Sequence, residues 1–246
     1  MNMWTVKLRA ALAMLMLAWS DAAWPQRPAV LIVNTVPVAP WTYPSTPARG
    51  IASEYMQFLF GAADIQVQFG TVPYVRVING LRDGSNTAAM LIPDTERDQF
   101  AIRLCQVTSI RSGLVYKKSR FKQLDIERLG GLTIGLQRGT HALDKIEAMP
   151  GLRPYIVQSV EQGLKMLQVD RLDATFLSSP GEQIVLRDNG MSPDDYAWFE
   201  VERAPVVIYV SRKAALAQDA AAIARLKGVC EGAGQAVMKS LMEKYR

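Results

Sequence analysis

Hydrophobic and polar positions fall into two periods that take turns along most of the chain. Residues 27–36 hold the run AVLIVNTV, a buried-strand pattern. Residues 51–61 place apolar side chains near i, i+4, i+7 and i+8 with Gly61 at the end, which predicts a helix. Residues 65–69 alternate apolar with Gln, a half-buried strand. A helix over 73–81 starts with Pro73 in its first turn. Strands are predicted at 88–92 and 110–116, with a polar turn PDTER at 93–97 and a break at 117–120. Residues 132–136 are short and apolar enough for a buried strand. A strand at 154–157 precedes a helix over 159–169. Ser159 and Gln162 open that helix with capping-box spacing. A strand at 174–177, a helical or mixed stretch at 180–189, a turn at 192–195 and a strand at 204–210 follow. Two Ala- and Lys-rich helices over 214–245, broken near 228–234, close the chain. Strands alternating with helices predict an α/β fold with largely parallel sheets flanked by helices.

Two stretches depart from this rhythm. Residues 37–50 carry four prolines with Trp41 and Tyr43, aromatics that no periodic element buries; they line a cleft or pack over the surface. Residues 137–140, QRGT, form a loop between a strand and a helix expected from His141. Gly139 permits a positive φ and Thr140 can cap that helix. Such a helix start presents free N–H groups and a positive dipole end, which suits a carboxylate or phosphate.

The chain also repeats itself. At an offset of 86, Leu81 meets Leu167, Ala88 meets Ala174, Met90 meets Phe176 and Leu91 meets Leu177. Two copies of one helix–turn–strand unit predict two similar lobes with a ligand cleft between them.

Length and composition fit this plan. The 246 residues, 49% hydrophobic and 21% charged, suffice for one large domain or two small ones. Residues 1–23 are expected to be a cleaved signal peptide. Lys7 and Arg9 precede an apolar run at 10–19, and Ala22 and Ala23 offer the cleavage site. That address is the periplasm, with no integral membrane anchor left after cleavage. The formal charge of +5 is mild and spread out, and no basic run interleaves with aromatics, which argues against nucleic acid. His141 is the single histidine and there is no CxxC, so no cofactor or metal is expected. Cys105 and Cys230 form a disulfide or remain two buried thiols.

The segments VPYVRVINGLRDG, PDTER followed by Phe100, LGGLTIGLQRGT, QGLKMLQVDRLDA and VVIYVSRK resemble, in order and spacing, the family 3 periplasmic solute-binding proteins. These are the amino-acid-type receptors of ABC importers, with a type II periplasmic-binding-protein fold. The resemblance implies two hinged lobes: lobe one at 24–115 plus 210–246, lobe two at 116–209, with crossings near 115–118 and 209–212. Both cysteines then fall in lobe one. It implies a monomer that captures a small carboxylate-bearing ligand, without catalysis, for an ABC transporter permease or a sensor kinase.

The resemblance also transfers ligand-binding positions. Arg97 stands where the family grips a carboxylate, a role suited to a two-pronged guanidinium; a surface Arg paired to Glu96 or Asp94 is the alternative. Gly139 and Thr140 match the family's carboxylate loop, with His141 beside them as a ligand contact or a solvated side chain. Trp41, Tyr43 and Tyr74 correspond to cleft aromatics. Ser178 stands where the family's ammonium-binding Asp is expected, Met90 and Ile92 replace polar positions, and Thr87 replaces the first-lobe Asp. Losing the charged partner of an ammonium costs about 1.5–3 kcal/mol, so a less polar organic acid fits better than a standard α-amino acid. Two alternatives remain: a prephenate-type dehydratase on the same scaffold, for which Glu54, Glu161 and Glu182 are the acids to inspect, and an accessory protein that has lost its ligand.

Overall fold

The computed structural model describes residues 31–125, 129–138 and 146–245. The elements run β1 (Leu31–Thr35), α1 (Ile51–Ala62), β2 (Val67–Thr71), α2 (Tyr74–Asp83), β3 (Ala88–Leu91), α3 (Arg97–Phe100) and β4 (Ala101–Lys117). They continue with β5 (Thr133–Gln137), β6 (Arg153–Val157), α4 (Val160–Gln168), β7 (Ala174–Ser178), α5 (Glu182–Asp188), β8 (Tyr196–Ser211), α6 (Ala220–Glu231) and α7 (Ala233–Lys244). The α/β alternation holds. Ser159 caps α4 as its spacing predicts, accepting from the Gln162 amide while the Gln162 side chain accepts from the Gln158 amide.

Two long strands organise the molecule. β4 and β8 lie antiparallel along almost their whole length, from Ala101 opposite Ser211 to Lys117 opposite Tyr196. They sit inside a six-stranded sheet of order β3-β8-β4-β7-β5-β6, and β1 pairs with β2 beside it. The sheets are therefore mixed. The expected parallel character is confined to the β1–β2, β5–β6 and β5–β7 pairs, because β4 and β8 each run against their neighbours.

Packing changes partners partway along these two strands. Leu104, Val107 and Ile110 of β4 and Val206, Ile208 and Val210 of β8 join one core with Val33, Tyr55, Leu59, Leu226 and Met238. Val77, Leu81 and Tyr209 fill the opposite face of that half. Further along, Leu114 and Tyr116 pack with Ile134, Leu136, Ile146 and Phe176. On the other face Val115 and Trp198 pack with Val160, Leu164, Leu177 and Val185. The first half is thus a sheet with helices on both faces, the second carries α4 and α5 on one face, and continuous hydrogen-bonded backbone joins the halves.

Two further links bear on the site. Cys105 of β4 is disulfide-bonded to Cys230 of α6, with Cα atoms 6.5 Å apart, which resolves the alternative left open by the sequence. The 37–50 segment reaches from the first half to the second. Val38 and Ala39 pack against the Val160–Val185 core, and Pro40 covers Gly181. A Cβ on Gly181 would lie 2.0 Å from the Pro40 Cδ, and the Gly181 φ of +116° independently favours glycine.

Candidate functional site

The repeat places matching residues on both sides of one cavity. α2 begins at Tyr74 and α4 at Val160; β3 begins at Ala88 and β7 at Ala174, so both pairs keep the offset of 86. The ends of β3 and β7 deliver Met90, Leu91 and Ile92 from the first half and Phe176, Leu177 and Ser178 from the second, and all six line the cavity. Its volume is about 170 Å³. A cavity of roughly 150 Å³ accommodates benzene, so the space suits a ligand of roughly six to ten non-hydrogen atoms. Val36, Val38, Trp41 and Val185 add to a largely apolar wall, with Asn34, Thr35, Gln137 and Glu182 among its polar members.

The expected site residues separate on inspection. Trp41, Tyr74 and Ser178 line the cavity. The Ser178 hydroxyl is already paired, 2.9 Å from the hydroxyl of Ser112. Tyr43 does not line it; its ring lies 6.1 Å from that of Tyr245, with the Arg49 guanidinium 4.8 Å above it. Tyr43 instead borders a second groove with Val38, Ala39, Glu161 and Asp188. Gly139, Thr140 and His141 lie outside the described residues.

Arg97 sits behind the wall. It is 6% exposed and does not line the cavity. Its Nη1 donates to the Ile92 carbonyl at 2.6 Å and its Nη2 to the Tyr74 hydroxyl at 2.7 Å. Its backbone amide donates to Asp94 Oδ1 at 3.2 Å. The Arg97 side chain makes neither surface pair: Glu96 pairs with Arg82 at 2.5 Å, and Asp94 accepts from the Arg97 backbone amide. Arg97 therefore fixes two wall residues from outside. Burial pushes the Tyr74 phenol above its usual range, with the Arg97 charge opposing, so Tyr74 is a neutral hydroxyl that accepts from Arg97 and keeps its own proton to donate.

The charged wall residue is one the sequence marked only for catalysis. Glu182 opens α5 and lines the cavity, and its Oε2 is buried with no hydrogen-bond partner among the described residues. Its Oε1 is 3.7 Å from Arg111 Nη2, while Arg111 Nη1 is 3.8 Å from Glu200. These are ion-pair separations, longer than a normal hydrogen bond. Of the other two acids, Glu54 accepts from Lys244 at 2.7 Å and from the Tyr245 hydroxyl, and Glu161 borders two other grooves. Among the described residues no group of His, Cys, Asp and Glu is arranged to hold a metal, and no helix is long and apolar enough to cross a membrane.

Comparison with known proteins gives a fold. No family model and no curated protein matches the chain. Solved structures do. The substrate-binding protein of an amino acid ABC transporter is 14% identical, with a TM-score of 0.73 over 88% of this chain and 98% of that one. The GluR0 ligand-binding core from Nostoc punctiforme in complex with (L)-glutamate is 14% identical, with a TM-score of 0.72 over 87% and 98%. A histidine kinase sensor domain similar to periplasmic binding proteins is 13% identical, with a TM-score of 0.73 over 88% and 96%. The chain has the type II periplasmic-binding-protein fold, which it shares with a substrate-binding protein, a ligand-binding core and a sensor domain.

Proposed function

We propose that this chain is a periplasmic solute-binding protein that closes two lobes over one small organic ligand and presents the closed form to a membrane partner, an ABC importer or a sensor kinase. One observation carries the reading: a cavity walled by both halves of the chain, which a hinge at the β4 and β8 crossings would open and close. We divide the lobes where the packing changes, between Ile110 and Leu114 on β4 and between Val201 and Val206 on β8, a few residues before the 115–118 and 209–212 crossings that the resemblance implies. The Val38–Pro40 contact with the second half supports a closed arrangement. The carboxylate contacts that the resemblance assigns to Gly139, Thr140 and His141 lie outside the described residues, and the Arg97 guanidinium is engaged by Ile92 and Tyr74.

Trp41 in the wall provides the test. Tryptophan emission and melting temperature of the secreted form, titrated with small carboxylates, amines and alcohols, are expected to respond to one class. Silence of both readouts across all three classes would retire the proposal in favour of an accessory protein without a ligand. Turnover of prephenate would replace it with the enzymatic alternative.

A further inference from the structure

We infer that the cavity selects a small primary amine with an apolar body, and that Glu182 is the residue that receives its protonated nitrogen. The inference rests on the binding-protein reading and names the ligand class of that same cavity. Among the described wall residues Glu182 is the one that carries a formal charge, and that charge is negative; no Lys or Arg lines the space. A buried carboxylate oxygen without a donor is unfavourable, and Glu182 Oε2 is such an atom. Arg111 does not supply the donor. It stands 3.7 Å from the other oxygen, divides itself between Glu182 and Glu200, and is 44% exposed, so water screens its attraction. An ammonium brings three N–H donors to an acceptor-only carboxylate. A ligand carboxylate would instead meet a like charge, with the Arg97 cation held behind Ile92 and Tyr74.

The rest of the wall describes the remainder of the molecule. Trp41, Tyr74 and Phe176 supply aromatic surface, which attracts a cation as well as hydrocarbon. Met90, Ile92, Val36 and Val185 supply aliphatic surface. A volume of about 170 Å³ matches a ring or branched chain with a short amine arm. The acid enters from the first turn of α5, four residues beyond Ser178, where the resemblance expected an ammonium partner and found a neutral hydroxyl.

The test uses the secreted chain and three matched probes at pH 7: phenethylamine, 3-phenylpropionate and 3-phenylpropan-1-ol, followed by calorimetric titration. The expected result is that the amine binds at least about tenfold tighter than the other two, the span of one charge-assisted hydrogen bond. Glu182→Gln should bring the amine-to-alcohol ratio down to about unity. Arg111→Gln should move it the other way, raising amine affinity by removing the competing cation, which keeps the inference testable if Glu182→Gln does not fold. A preference for the propionate, or an amine affinity untouched by Glu182→Gln, overturns the amine assignment and leaves the binding-protein reading standing. Failure of all three probes, with small carboxylates also silent, overturns both.

Discussion

Replacing Arg97 with Met separates two accounts of that residue. If its guanidinium grips a ligand carboxylate, the loss falls on affinity and the empty protein barely changes. The geometry assigns the loss to stability. Two hydrogen bonds from a buried cation, at 2.6 Å to the Ile92 carbonyl and 2.7 Å to the Tyr74 hydroxyl, disappear together. Bonds to a charged group contribute about 1.5–3 kcal/mol each, a gross loss of roughly 3–6 kcal/mol. Part of that returns, because the variant no longer desolvates a cation and Met refills much of the stem's space. A net destabilisation of about 2–3 kcal/mol is a large single-substitution effect. For a chain of this size each kcal/mol shifts the melting temperature by about 2–4 °C, so the drop should be roughly 4–12 °C. Urea unfolding of the ligand-free protein measures the free energy, and calorimetric titration measures affinity in parallel. Tyr74→Phe removes one of the two acceptors and should cost about 1 kcal/mol. Combined with Arg97→Met it should add little, because both changes break the same bond. A variant that melts within about 1 °C of the parent yet no longer binds small carboxylates would refute this account and restore Arg97 to the ligand.

Three other outcomes are expected. Reducing the Cys105–Cys230 bridge, or replacing both cysteines with Ala, releases a constraint across a sequence separation of 125; chain entropy sets the loss at up to about 4–5 kcal/mol, and a urea midpoint unmoved by reductant would contradict it. Stability should fall in acid partly through Glu54. Burial pushes this carboxyl up, but hydrogen bonds from Lys244, Tyr245 and the Gly50 amide outweigh it and hold the group below its usual range. A depressed folded value contributes stability above the unfolded value of about 4.3, and the contribution is lost as pH falls through the folded value. Urea midpoints from pH 6 to pH 3 should therefore decline less steeply in Glu54→Gln, and parallel curves would remove Glu54 from the explanation. Gly163→Ala should cost about 1–3 kcal/mol despite its better helix propensity, because the new Cβ lies 2.6 Å from the Thr175 Oγ1. Adding Thr175→Ala should recover most of that loss, and strictly additive energies would show that the two side chains do not meet.

What the sequence made legible follows from where one physical signal dominated. α1, α2 and α4 each turn one face into one core, β5 packs into one core, and β3 and β7 bury both faces as continuous apolar runs, so each keeps a single readable pattern. The crossing strands do not. The N-terminal part of β4 and the N-terminal part of β8 carried no readable pattern. Register shifts at Arg103/Cys105, Gln106/Thr108 and Ser112/Gly113 break the alternation, and each strand changes core midway. The same contrast governs the site. The 86-residue repeat was visible, and it placed Met90 to Ile92 and Phe176 to Ser178 around one cavity, because spacing along the chain determines where a strand ends. Spacing does not determine where a long side chain turns. Arg97 occupies the expected position and directs its guanidinium to Ile92 and Tyr74. Glu182 reaches the wall through a contact between distant segments, Pro40 against Gly181, which no local pattern encodes. The charge that a ligand would meet is thus the feature least available to sequence reading. Ligand class in this fold is for that reason better argued from unpaired atoms in the wall than from the position of a family's arginine.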